Sequence, residues 1–186
     1  TLSGAMPWQW ASEVQAVELA RLLNDAACEA HTALPERFVS AIALPAKHPE
    51  AALQELERVQ GRPGLVAVQM PNSIAGDDYL FKPEYAPLLA RCEALRLPFM
   101  LHPLDGPENV FVPGDRLAGP AFIHNWIGFG FEQATTATKF ITTGTLDRHP
   151  KLEVLLPHAG GAFAMIAGRL QHGLEKMGRK RGEQRR

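Results

Sequence analysis

Apolar residues recur along this chain with two different periods, and the two periods alternate. In the first long segment they return every three or four residues from Val14 to Ala30, as on one face of an amphipathic helix. Ser12 is a suitable N-cap for this helix, and Pro35 ends the pattern. Short continuous apolar runs, typical of strands buried on both faces, separate this segment from later helical patterns. The alternation predicts a parallel sheet covered by helices.

Four apolar runs are clear enough to be predicted as strands: residues 38–44, 65–70, 98–102 and 152–158. Residues 1–3 are compatible with the end of a fifth strand. A doubly wound sheet and a partial barrel both fit this pattern, and no sequence repeat indicates a solenoid. The dinucleotide-binding pattern GxGxxG follows none of the strands. A long loop rich in glycine and proline is predicted from residue 103 to about residue 130.

Composition and charge exclude several classes of partner. Hydrophobic residues make up 46% and charged residues 21% of the chain, and the formal net charge is −1, as in an ordinary globular enzyme or binding protein. No strong field attracts nucleic acid or an anionic membrane, and no apolar run is long enough for a membrane span. Cys28 and Cys92 are expected to be buried free thiols. We therefore expect a cytoplasmic protein, with residues 174–186 as a basic C-terminal tail.

The residues most able to carry chemistry are two histidines at the ends of predicted strands. His102 and His158 are each the last residue of a strand, and a loop-forming residue follows each of them. In parallel α/β folds this end of the sheet forms the active face. Two imidazoles there could bind one metal ion or bracket one substrate. The alternative is that each histidine only caps its loop by hydrogen bonding.

Weaker candidates surround this pair. Gly160 and Gly161 would let the backbone approach a ligand closely after His158. Arg169, on the following helix, could hold a carboxylate, although a lone helical arginine more often forms a surface salt bridge. Trp126 lies in the long predicted loop, where it is either a binding residue or a structural aromatic anchor.

Several segments of the chain resemble, in the same order, the aminocarboxymuconate-semialdehyde decarboxylase branch of the amidohydrolase superfamily. The most specific is His158-Ala159-Gly160-Gly161-Ala162-Phe163, which Gly168-Arg169 follows. The others are Leu22-Leu23-Asn24-Asp25, Pro35-Glu36-Arg37-Phe38, Leu101-His102-Pro103 and Leu146-Asp147-Arg148-His149-Pro150-Lys151-Leu152.

This resemblance implies a (β/α)8 TIM-type barrel with one divalent metal ion, usually zinc, at its mouth. His102 would be a metal ligand, and His158 the catalytic histidine that handles a proton. Arg169 would cross a dimer interface to hold the substrate carboxylate. From its place in the long loop, and not from the resemblance, Trp126 is predicted to be a second substrate-binding residue. The implied activity is decarboxylation of a small unsaturated or aromatic carboxylic acid, by a homodimer or larger oligomer.

The chain also departs from the family pattern. It contains no His-x-His pair and no Asp in a Gly-Ser/Thr-Asp-Tyr-Pro context, so His102 alone remains of the expected protein ligands. We therefore expect residues 1–173 to form an incomplete barrel, about strands two to six, and this chain alone to bind metal weakly or not at all. A metal-dependent amide or lactone hydrolase and a metal-free, non-catalytic barrel remnant remain as alternatives.

Overall fold

The computed structural model describes residues 10–104 and 123–183. The predicted strand end at residues 1–3 and much of the predicted long loop lie outside these ranges. Within them, four parallel strands form one sheet in the order β1-β2-β3-β4. These strands are β1 (Ser40–Ala43), β2 (Leu65–Pro71), β3 (Phe99–His102) and β4 (Val154–Leu155). Strand order follows chain order without the reversal of a doubly wound sheet, so the described strands form a section of barrel wall.

Helices connect and cover the strands. They are α1 (Glu13–Ala33), α2 (Pro49–Val59), α3 (Ala86–Leu95), α4 (Phe129–Thr142), α5 (Thr145–Arg148) and α6 (Phe163–Glu183). The predicted N-cap at Ser12 is confirmed, because Ser12 and Gln15 form a capping box. Pro49 occupies the first turn of α2, where its missing N–H costs nothing. Among the described residues no helix is long and apolar enough to cross a bilayer.

The main core lies between the sheet and the helices. Val68 of β2 pairs with Phe99 of β3, and both side chains are fully buried on the helix-covered face. Met100 and His102 point to the opposite face, which corresponds to the barrel interior, and are only half-buried. Cys28 and Cys92 are buried free thiols, as predicted. His102 is therefore placed on the inner face at the carboxyl end of its strand.

Three boundaries differ from the predictions. β4 was expected over residues 152–158 but covers only Val154–Leu155, and His158 begins a short 3-10 turn, His158–Gly160. The strand cannot continue, because Pro157 has no N–H and His158 has a φ of 54°. The predicted loop to residue 130 is wrong in its last part, where a π-helix, His124–Gly128, leads into α4. The predicted boundary at residue 174 falls inside α6.

Candidate active site

The structure brings His102 and His158 together. Their ring centroids lie 5.1 Å apart, with the ring planes at 65°. His102 is the last residue of β3, as predicted, whereas His158 lies three residues beyond the end of β4. Both rings lie at the carboxyl ends of parallel strands, where barrels of this type place their active sites.

The orientation of the His102 ring leaves one nitrogen available. Its Nδ1 lies 2.7 Å from the carbonyl oxygen of Pro103. A carbonyl oxygen only accepts, so Nδ1 carries the proton and donates it, and the neutral ring keeps a lone pair on Nε2. Histidines that bind metal ions usually donate their other N–H in this way, which fixes the tautomer. His102 therefore has the local geometry of a ligand.

A left-handed turn carries His158. His158 and Ala159 both have φ 54°, and Gly160 and Gly161 continue the run of positive φ values. A non-glycine residue in this conformation costs roughly 1–2 kcal/mol, so the surrounding packing must hold the turn in place. A Cβ on Gly161 would lie 2.2 Å from the carbonyl oxygen of Gly130. At Gly161 the expected close approach is thus made to the backbone of α4.

Phe129 packs against both histidines. Its ring centroid lies 5.8 Å from that of His102 and 5.3 Å from that of His158, and the residue is only 4% exposed. Burial lowers the pKa of His158, and the neighbouring His102 lowers it further. Because a lowered pKa favours the uncharged ring, His158 is suited to accept a proton near neutral pH.

An open cleft of about 500 Å³ lies beside His158. Aromatic and small residues line it: Asn125, Trp126, Ile127, Phe129, Gly130, Phe131, Gly161 and Ala162. Trp126 is in the π-helix and not in a loop, and it is 71% exposed, so it is no structural anchor of the core. It stands where a ligand next to His158 would meet it. π-helical turns occur often at functional sites.

Arg169 lies elsewhere. It is exposed on α6 and lines a separate apolar groove between α4 and α6 with Thr138, Thr142, Ile166, Leu170, Gly173, Leu174 and Met177. Arg169 does not line the cleft that contains His158. Any contact between this guanidinium and a substrate would therefore have to be made outside that cleft.

A metal ion fits this site only in part. Within residues 10–104 and 123–183, no group of three or more His, Cys, Asp or Glu side chains could hold an ion. Zinc in proteins normally has three or four protein ligands. His102 has the correct tautomer for one of them, and any others would have to come from outside the described residues.

Buried polar residues that the sequence reasoning missed lie behind His102. Between the end of β2 and helix α4, the buried Asn72 is hydrogen-bonded to both Gln133 and Thr136, which are also buried. Glu132 is 3% exposed and accepts a hydrogen bond from Ser73, while its Oε2 contacts no hydrogen-bond partner among the described residues. Burial raises the pKa of this carboxyl group. The available signal was the position of Asn72, directly after the end of β2.

The chain is similar to one protein family over most of its length. The model of the amidohydrolase family matches residues 3–178. A gamma-resorcylate decarboxylase of Rhizobium radiobacter is 32% identical over 166 residues, which are 85% of this chain and 49% of that protein. The 2-amino-3-carboxymuconate-6-semialdehyde decarboxylase of Dictyostelium discoideum is 31% identical over 165 residues, 88% of this chain and 44% of that protein.

The chain is also similar in fold to a solved decarboxylase structure. The dihydroxybenzoic acid decarboxylase of Polaromonas sp. JS666, crystallised with manganese and the inhibitor 2-nitroresorcinol, is 30% identical with a TM-score of 0.74. The alignment covers 89% of this chain and 51% of that chain. This chain thus spans about half the length of the relatives that it matches.

Proposed function

This chain belongs to the amidohydrolase family, and we propose that the complete protein is a divalent-metal-dependent decarboxylase of a small aromatic or unsaturated carboxylic acid. The observation that carries the proposal is the pair of imidazoles at the sheet edge, with ring centroids 5.1 Å apart. His102 presents a bare Nε2, as a ligand must, and burial lowers the pKa of His158 beside it. Relatives named as decarboxylases support the reaction class.

In this proposal the two histidines have separate tasks. His102 would hold the ion through Nε2, and the bound ion would supply positive charge that polarises the substrate oxygens. His158, as the uncharged base, would take up a proton from solvent and pass it to the substrate carbon that bears the carboxylate, where a new C–H bond forms. The bond from that carbon to CO2 then breaks, and its electron pair returns to the conjugated system. A positioned histidine is suited to this transfer, because its ring can both accept and donate a proton.

The proposed substrate is flat, because the cleft beside His158 has aromatic walls. Trp126 and Phe131 are exposed there, and Phe129 forms its buried side. Aromatic side chains pack well against a planar ring. Manganese in the Polaromonas structure makes Mn²⁺ a candidate ion together with the Zn²⁺ that the motifs imply. Arg169 is proposed to hold a substrate carboxylate across the interface of a homodimer.

A metal-dependent amide or lactone hydrolase is the second candidate, because the family also takes its name from that chemistry. The third is a barrel remnant without a metal, which the incomplete ligand set of the described residues favours. The three differ in product and in metal content. One set of measurements on the complete protein therefore separates them.

The test is an assay of the complete protein with Mn²⁺ or Zn²⁺ and a dihydroxybenzoate, with release of CO2 as the measured product. We expect His158→Ala to lower the rate by about 100-fold or more, as loss of a positioned acid–base group usually does. His102→Ala should lower the rate as well, because the ion would lose a protein ligand. His172→Ala is the matched control, since His172 is exposed on α6. Hydrolysis of an amide or lactone without CO2 would sink the decarboxylase proposal. A protein without metal or turnover would support the remnant.

A further inference from the structure

The hydrogen bonds around His102 extend well beyond its ring. Three successive carbonyl oxygens, those of Leu101, His102 and Pro103, each accept one hydrogen bond. Gln133 Nε2 donates to Leu101 at 2.9 Å, the backbone N–H of Asn72 donates to His102 at 3.2 Å, and the His102 ring donates to Pro103 at 2.7 Å. The backbone on both sides of His102 and its ring are therefore held by separate donors.

The hydrogen bond from Gln133 takes the place of a strand partner at the Leu101 carbonyl. β4 ends at Leu155, which pairs with Met100, so the sheet ladder does not reach Leu101 on that side. Pro103 cannot extend the ladder either, because it has no N–H. A carbonyl left without a partner at this buried position would be costly. The side-chain amide of Gln133, fully buried on α4, supplies the donor instead.

Asn72 fixes the position of Gln133. The two side-chain amides bond reciprocally, with Asn72 Nδ2 to Gln133 Oε1 at 3.3 Å and Gln133 Nε2 to Asn72 Oδ1 at 3.4 Å. Asn72 Nδ2 also donates to Thr136 Oγ1 at 2.8 Å, one turn further along α4. All three residues are at most 4% exposed. Buried networks of this kind hold one arrangement because any other leaves polar atoms without partners.

We propose that Asn72 and Gln133 are positioning residues of the site, which join the end of β3 to α4 and so maintain the orientation and the tautomer of His102. This inference rests on the proposed role of His102 as a metal ligand. The same helix begins at Phe129, which packs against both histidine rings. Joining β3 to α4 therefore also sets the distance between the His102 ring and the Phe129 ring.

The first measurement is the tautomer of His102 in this chain, from long-range ¹H–¹⁵N spectra of the imidazoles above about pH 8, where histidine is neutral. In the wild-type chain we expect the proton on Nδ1. Gln133→Met keeps the length of the side chain but removes its donor. Loss of the bond to Leu101 should loosen the backbone that carries the Pro103 carbonyl, the acceptor of the ring proton. We expect the ratio of the Nδ1–H to the Nε2–H tautomer to fall by up to about tenfold, the limit set by one hydrogen bond of ordinary strength.

The matched control is Asn24→Leu. Asn24 is an equally buried amide that bonds to both the N–H and the carbonyl oxygen of Ala43, at the end of β1. This variant should lose stability yet leave the His102 tautomer unchanged. A folded Gln133→Met chain with the wild-type tautomer ratio would overturn the inference, and so would an equal shift in Asn24→Leu. If Gln133→Met does not fold, Thr136→Val decides, with a smaller shift in the same direction expected.

The second measurement separates this inference from the proposed function. Mn²⁺ is titrated into the labelled complete protein, and paramagnetic broadening of the His102 ring signals is followed. We expect Gln133→Met to require about tenfold more Mn²⁺, because partners behind a metal ligand usually change affinity by 10–100-fold. No broadening of His102 in the complete wild-type protein would count against the metal site. The tautomer ratio would then decide the positioning role by itself.

Discussion

The carboxyl ends of β3 and β4 each lead to one histidine of the site, but the two ends are held by different forces. At β3 the strand runs straight into His102, and hydrogen bonds from Asn72 and Gln133 hold its last carbonyls. At β4 the strand ends early, and His158 follows in a left-handed turn. The first end depends on polar partners and the second on backbone conformation. Each end should therefore be sensitive to a different kind of substitution.

The largest effect is expected where the two ends meet. Phe129→Ala removes the buried ring that packs against both His102 and His158, and should destabilise the protein by about 3–5 kcal/mol, the usual cost of such a cavity. Denaturant unfolding measures this cost. Phe131→Ala is the control, because Phe131 is 51% exposed. Similar losses in both variants would show that Phe129 does not join the two ends.

Gly161→Ala tests the left-handed turn alone. The new Cβ would lie 2.2 Å from the Gly130 carbonyl oxygen, and the φ of 58° is unfavourable for alanine, so we expect a loss of about 2–4 kcal/mol. Gly160→Ala is the matched variant. Gly160 has a φ of 72°, but a Cβ added there would meet nothing within 4 Å, so only about 1 kcal/mol should be lost. The difference in free energy of unfolding isolates the contact with α4, and equal losses would argue that this contact is unimportant.

Glu132→Gln tests the buried polar residues behind His102 through the pH dependence of the free energy of unfolding. Burial raises the pKa of Glu132 above its ordinary value of 4.5. The stability that the protonated carboxyl group contributes is therefore fully present below pH 4.5 and is lost as pH rises through the folded-state pKa. Replacing the carboxyl by an amide should remove this loss. The free energy of unfolding of the variant should therefore fall less than that of the wild type as pH rises from 4.5 towards neutral.

Glu57→Gln is the control for this pH series, because the Glu57 carboxylate is largely exposed and pairs with Arg91. Glu57→Gln should leave the pH dependence of the free energy of unfolding, from pH 4.5 to neutral, nearly as in the wild type. A Glu132→Gln profile parallel to that of the wild type would mean that the buried carboxyl stays ionised in the folded protein.

The smallest effect on stability is expected at the cleft. Trp126 is 71% exposed, so Trp126→Ala should change the free energy of unfolding by no more than about 0.5 kcal/mol. If the cleft beside His158 binds a flat substrate, the same change should raise KM in the complete enzyme. Met165→Ala on exposed α6 is a control with no expected change in KM. A large loss of stability at Trp126 would restore its interpretation as a structural anchor.

Prediction worked best where one physical signal dominated. The 3.6-residue period and the caps located α1 and α2, and the apolar runs located β1 to β3 within two residues at each end. β4 was overestimated because Leu152, Leu156 and Pro157 continue an apolar run that is not part of the ladder. The π-helix was missed because glycine-rich sequence near Trp126 looks like a loop. Such a segment becomes helical only when packing supports it.

The sequence by itself determined the alternation of strands and helices, the family and the two histidines. Periodicity and ordered motifs are local properties that a chain carries before it folds. Only the tertiary structure decided that Gln133 replaces a strand partner of Leu101 and that Gly161 meets Gly130. These contacts join residues about 30 positions apart, and a polar residue on a helix shows its partner only after packing has buried both.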